Sequence, residues 1–244
     1  MTRRGIFTSD FHMFSDRSIV ESILPDLEQA AGNADLIVLG GDIVDFKWSR
    51  LPDQEHTEQA ALEWFQDFSD RHRGKQIVYL IGNHDWTPSY LTRLNLLAET
   101  NQHIQVFEYW YQQGDALFLH GDVVHSRPNQ EALEHRRSTW SGHGQRGRLQ
   151  NSLYSLVFLL RLPLFINWLI NREHRICRHL TRYLQNERLL PDRGIRRIFF
   201  GHTHTVIKGY ELEGLVFYNS GAPLKNLGSE ILEFEIQGDF SDGR

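Results

Sequence analysis

Gln76-Ile77-Val78-Tyr79-Leu80-Ile81-Gly82-Asn83-His84-Asp85 is the stretch whose reading decides the fold. Its first part is an apolar run rich in β-branched residues, which predicts a buried strand over Gln76–Ile81. The run stops at Gly82, and Asn83, His84 and Asp85 follow, side chains that make good metal ligands. Four other places repeat the pattern. The predicted strand Ile6–Ser9 leads into Asp10-Phe11-His12, and Leu36–Leu39 leads into Gly40-Gly41-Asp42. Ala116–Leu119 leads into His120-Gly121-Asp122, and Arg197–Phe200 into Gly201-His202-Thr203-His204.

Taken singly, each motif is weak. A lone histidine past a strand is more often a satisfied core or surface residue than a ligand, and Gly-Gly-Asp can be only a turn. Five in order are another matter. Alternate residues of an extended chain point the same way, so Asp10 and His12 can grip one ion. The glycines before Asp42 let the backbone turn tightly at the sheet edge. Convergence at the carboxyl ends of neighbouring strands is where open α/β sheets place their sites.

Working outward, the amphipathic stretches Ser18–Ala31 and Glu58–Arg71 predict helices between these strands, the second with Leu62, Phe65 and Phe68 at helical spacing and Gly74 as its stop. Alternating strand and helix implies α/β layering. Thr205–Tyr210 and Leu215–Asn219 read as strands around a Glu213-Gly214 turn, with Ile231–Ile236 a last one, all candidates to extend a second sheet. The polar tail from Gly238 to Arg244 is expected to fray.

Residues 123–191 break this rhythm and read as a helical insertion into a core made of 1–122 and 192–244. Residues 121–193 carry twelve arginines against six acids, a charge of +6, which leaves −11 on the remainder of a chain whose net charge is −5. The run Leu153–Ile170 is strongly apolar, but Arg161, Pro163 and Asn167 interrupt it, which argues against a membrane span. Two readings stand for it: helices packing on themselves and on the sheet, or a cap that docks on a membrane or holds acyl chains.

Composition narrows the class. At 244 residues and 40% hydrophobic, the chain has material for one sizeable folded domain. A lone cysteine, Cys177, forms no internal bridge, and the basic start runs straight into a strand with no export signal, so a cytoplasmic protein is expected. The acidic net charge argues against extended duplex binding, and no nucleic-acid partner is expected.

The ordered motifs resemble those of the calcineurin-like metallophosphoesterases, D-x-H, G-D, G-N-H-D or G-N-R-D, H and G-H-x-H, over roughly residues 5–222. The resemblance implies a two-sheet αββα sandwich and a dinuclear site. It places Asp10, His12 and His204 on one ion and Asn83, His120 and His202 on the second, with Asp42 bridging. Two divalent ions about 3.5–4 Å apart acidify water and neutralise phosphate oxygens. Manganese is the expected metal, with iron and zinc as alternatives. His84 is then the candidate catalytic residue, steadying transition-state oxygens or protonating the leaving group, the alternative being a hydrogen-bonding role beside the ligands. Asp85 is expected to orient neighbours such as the His84 ring. Asp45 is left without a role, and Asp122 is a candidate support for the loop carrying His120. The small-residue turn Asn219–Pro223 reads as structural support.

Within that superfamily, Ser9–His12, Gly41–Phe46 and the position of the arginine-rich insertion are similar to the UDP-2,3-diacylglucosamine pyrophosphohydrolases of the lipid A pathway. Those enzymes carry arginine in the third motif, where this chain has His84. The similarity implies a lipid-linked diphosphate substrate, cleaved to UMP and a lipid phosphate, and a protein resting on the inner membrane face. Arg127, Arg136 and Arg137 are candidates to grip the diphosphate. The alternative is a phosphodiesterase for soluble nucleotides or another small phosphate ester.

Overall fold

Side-chain alternation in the strands sorts the apolar residues into separate cores. In β2 (Leu36–Leu39), Ile37 and Leu39 join a cluster with the helices, whereas Leu36 and Val38 join one lying between two sheets. β3 (Gln76–Leu80) does the same, with Ile77 and Tyr79 on the helix side and Val78 and Leu80 between the sheets. In β6 (Ala116–Leu119) and β7 (Arg197–Phe200), Phe118 and Phe199 point into that same middle layer, and Leu117, Leu119, Ile198 and Phe200 point to the opposite helix layer. Strands buried on both faces require a layer on each side. The result is the α/β/β/α sandwich.

The computed structural model describes residues 2–142, 145–146, 172–190 and 193–237. The apolar run Leu153–Ile170 and the tail from Gly238 lie outside the described residues. The first sheet has the order β10-β1-β2-β3-β4, where β1 is Thr2–Thr8, β4 is Ile104–Phe107 and β10 is Leu232–Gln237. Strands β1 to β4 are parallel, and β10 is antiparallel on β1 with Thr2 opposite Gln237. The second sheet has the order β5-β6-β7-β9-β8, with β5 at Trp110–Gln113, β8 at Val206–Leu212 and β9 at Leu215–Ser220. Helices α1 (Leu24–Asn33), α2 (Gln54–Arg71) and α3 (Pro88–Thr100) cover the first sheet.

The last strand departs from expectation. β8 and β9 extend the second sheet around the turn at Glu213 and Gly214, whose φ values of 52° and 78° suit a tight hairpin. β10 instead crosses to the first sheet. Its alternating Leu232, Phe234 and Ile236 enter the layer between sheets, where the Phe234 ring lies 5.1 Å from Phe118 and 5.0 Å from Phe199. Gly5 in β1 makes room, since a Cβ there would collide with the Phe234 ring.

Two helices described within 123–191 pack against the second sheet. α4 (Gln130–Ser141) starts at Asn129, whose side chain accepts from the Ala132 amide at 2.8 Å. α5 (Glu173–Asn186) buries Ile176, Cys177, Leu180 and Leu184 in the core lined by Leu117, Ile198 and Phe217, and turns Arg175, Arg178 and Arg182 outward. No helix among the described residues is long and apolar enough to cross a membrane.

Candidate metal centre

The loops after the strands are zipped together before any side chain is considered. The Asp10 amide donates to Gly41 O and the His12 amide to Asp42 O, each at 2.9 Å, so the loop after β1 runs alongside the loop after β2. Gly41, at φ 86°, lies where a Cβ would strike the His120 ring and the Gly82 amide. A Cβ on Gly82 would overlap Asp42 Oδ1, and one on Gly201 would overlap Asp10 Oδ2. Backbone approach of this closeness is what lets carboxylates and imidazoles from five loops meet.

They meet in three overlapping groups: Asp10, His12 and His204; His12, Asp42 and His84; and Asp42, His120 and His202, the ligand-type atoms of each lying within 4.8 Å of one another. Asp42 Oδ2 stands 3.9 Å from His12 Nε2 and 3.3 Å from His120 Nε2. His204 Nε2 is 3.3 Å from Asp10 Oδ1 and 3.2 Å from His12 Nε2. Asn83 is buried beside this set, and the next amide, of His84, donates to Asp42 Oδ1 at 2.7 Å.

The donor chemistry fits divalent cations. Asn83 Oδ1, His120 Nε2 and His202 Nδ1 are buried without a hydrogen-bond partner, a condition that costs about 1–3 kcal/mol per group unless something accepts or supplies charge. For His120 the tautomer is set from behind. Its Nδ1 faces Gly40 O at 2.9 Å and must donate, which leaves Nε2 with a lone pair directed at Asp42 when the ring is neutral. His202 is treated alike by a residue the sequence did not single out. His125 Nδ1 lies 2.7 Å from His202 Nε2, and with His125 as the acceptor His202 Nδ1 is left as a buried nitrogen with a lone pair and no partner.

Electrostatics tell the same story. Burial opposes a charged His120, but Asp42, Asp122 and Asp10 outweigh it and raise the ring to about 10. The carboxylates demand positive charge there, and a proton supplies it when a cation does not. Asp42 is held well below the usual carboxylate range by His120, His84 and His12 despite its burial. Burial pushes His12 and His202 down, keeping them neutral and able to ligate. For His84, burial is again overcome, by Asp45 and Asp42, and its pKa rises.

Asp45 emerges as the organiser of the inner rings. Its Oδ1 accepts from His84 Nδ1 and the Trp48 amide, both at 2.9 Å, while Oδ2 faces His12 Nδ1 at 3.3 Å and Arg17 Nη2 at 3.4 Å. The sequence signal was there, a second carboxylate three positions beyond Asp42 on the same loop. Asp85, expected to orient the His84 ring, instead accepts from the Val44 amide at 2.9 Å and the Gly82 amide at 3.1 Å, pinning the backbone of the Asp42 loop. Burial and Asp42 raise its carboxyl to about 7.

Of the three arginines expected to grip substrate, Arg137 is committed elsewhere. Arg137 is 1% exposed, its Nε and Nη2 both 2.7 Å from Asp122 and its Nη1 donating to Glu108 O. With its guanidinium edges occupied and its face 5.0 Å over Trp86, it ties α4 to the end of β6 and has nothing left for a diphosphate. Asp122 thereby supports the loop carrying His120. Arg136 Nη1 donates to His125 O at 2.9 Å, and Arg127 is exposed.

The family model described as calcineurin-like phosphoesterase matches residues 4–206. No curated protein matches the chain significantly. Among solved structures, the chain is similar to a dimetal phosphatase from Danio rerio, at 13% identity and a TM-score of 0.52, over 97% of this chain and 93% of that one. It is also similar to Yfce, a phosphoesterase from E. coli, at 12% identity and a TM-score of 0.43, over 94% of this chain and 87% of that one. With a family model spanning most of its length and a clustered His/Asp site at the strand ends, the chain belongs to the calcineurin-like phosphoesterase family and is a metal-dependent phosphoesterase.

Proposed function

We propose that Asp10, His12 and His204 hold one divalent ion, that Asn83, His120 and His202 hold a second, and that Asp42 bridges them. The observation carrying this is the gathering of His120 and His202 around the Asp42 carboxylate, together with the buried, partnerless atoms Asn83 Oδ1, His120 Nε2 and His202 Nδ1. The Asp, Asn and His donors suit manganese, with iron and zinc as alternatives. When bound, such ions supply Lewis acidity to the phosphate and a water of lowered pKa. His84, its Nδ1 committed to Asp45, stands over the cluster with 12% of its side chain exposed and donates to phosphate oxygens or to the departing group.

The bond cleaved is a phosphodiester or diphosphate, and the substrate class proposed is a lipid-linked nucleotide such as UDP-2,3-diacylglucosamine, giving UMP and a lipid phosphate. Support comes from the arginine-rich insertion at 123–191 and its apolar run 153–170, which would hold acyl chains and rest on the membrane face. A second reading, a phosphodiesterase for soluble nucleotides, is favoured by His84 in the third motif, the version general phosphoesterases carry.

Purified protein is expected to hydrolyse bis(p-nitrophenyl) phosphate only with added Mn²⁺ or a similar ion, and Asp42→Ala or His204→Ala to abolish turnover. Undiminished rates in both variants would overturn the assignment. UDP-diacylglucosamine is expected to be hydrolysed far faster than its deacylated analogue; equal rates would leave the soluble-nucleotide reading.

A further inference from the structure

Beside His84 stands a group of basic and aromatic side chains that the metal centre does not use. Trp140, in the last turn of α4, has its ring centroid 5.1 Å from that of His84, which in turn lies 4.7 Å from His12. Lys47 Nζ sits 3.6 Å from the centroid of the Trp140 ring. The Arg146 amide donates to Lys47 O at 2.9 Å, and Gln145 Nε2 donates to Ser49 O at 3.1 Å and Leu51 O at 2.7 Å. The end of the α4 segment is thus laid onto the loop that follows Asp42.

Two groups in this set, the Lys47 ammonium and the Trp140 indole N–H, have no anionic acceptor among the described residues. Among the described residues, no carboxylate forms an ion pair with Lys47. Burial and the neighbouring Arg146 push its pKa down, with Asp45 pulling the other way. The Trp140 Nε1 is buried with no hydrogen-bond partner. A buried N–H without an acceptor costs about 1–3 kcal/mol, and two like charges held together add to it. An anion arriving between them relieves both. A lysine held on an indole face keeps its ammonium at a fixed place, which suits a point charge on phosphate.

We propose that Lys47 and Trp140 form an anion subsite adjoining His84 that takes the phosphate next to the scissile one, so that the substrate is an ester of a diphosphate rather than of a single phosphate. This rests on the phosphoesterase reading above, and it assigns the grip on the second phosphate to groups other than Arg127, Arg136 and Arg137.

The test compares UMP and UDP as inhibitors of bis(p-nitrophenyl) phosphate hydrolysis by the Mn²⁺-loaded protein. Wild type is expected to prefer UDP, Lys47→Gln to cut the UDP-to-UMP preference about ten-fold, and Lys47→Arg to keep it. UDP, and not UMP, is expected to change the tryptophan fluorescence of wild type, and Trp140→Phe to remove that change. A UDP-to-UMP ratio unchanged in Lys47→Gln, with wild-type turnover intact, overturns the subsite and leaves the phosphoesterase standing. Absence of wild-type turnover strikes the underlying reading instead. Should the melting curve show that Lys47→Gln does not fold, Trp140→Phe takes its place, because it keeps the ring under Lys47 and removes the N–H; an unchanged ratio there also overturns the proposal.

Discussion

At the scale of single residues, the site is built on backbone that side-chain-bearing residues seldom adopt. Asp10, His12, Asp42, His202 and His204 all have positive φ, between 45° and 64°. Such conformations cost on the order of 1–3 kcal/mol each and persist where the surroundings over-determine them. Here the loop-to-loop amide bonds and the pinned Asp85 do so. His120 yields a prediction at this scale. Raised to about 10, the metal-free ring is protonated at neutral pH, whereas ligation through Nε2 needs that proton gone. Loading Mn²⁺ at pH 7 should therefore release about one proton from this ring, and affinity should fall as pH falls. Calorimetry in buffers of different ionisation enthalpy reads the release directly. A heat independent of buffer would show that His120 is not displaced from its protonated form.

At the scale of elements, α4 is held by one buried ion pair. Arg137 and Asp122 are each 1% exposed, and removing only one of them strands the other charge in the interior. Arg137→Leu should cost about 3–5 kcal/mol in urea unfolding, and adding Asp122→Asn should recover part of it. No loss in the single variant would mean that α4 is anchored by its other contacts, such as those of Arg136 with His125 O and Gln130 with Glu187. The pair also marks how far the sequence could be read. The ligand-bearing strands were legible because their runs are apolar on both faces, and the motif residues because they stand where those runs stop. β4 and β5 were missed: Gln105, Gln112 and Gln113 interrupt the apolar pattern, since these strands lie at sheet edges where a face meets water. Asp45, His125 and Arg137 acquire their roles through partners distant in the chain, or across a loop whose turn no periodicity reveals. An arginine in a basic segment reads as a surface group until its buried acid is seen.

At the scale of the whole molecule, the layer between the sheets joins strands from both ends of the chain. Phe234 packs there on Phe118 and Phe199, so Phe234→Ala should cost about 3–5 kcal/mol. Chemical denaturation measures it, and a loss below about 1 kcal/mol would place β10 outside the shared core. The pairing of β1 with β10, Thr2 against Gln237, has a consequence for biosynthesis. Translation proceeds at about 5–20 residues per second, so a nascent chain waits on the order of tens of seconds between the emergence of its first strand and that of the partner that covers it. Throughout that interval one flank of β1 presents unpaired amides and carbonyls on the ribosome, open to chaperones or to a neighbouring nascent chain.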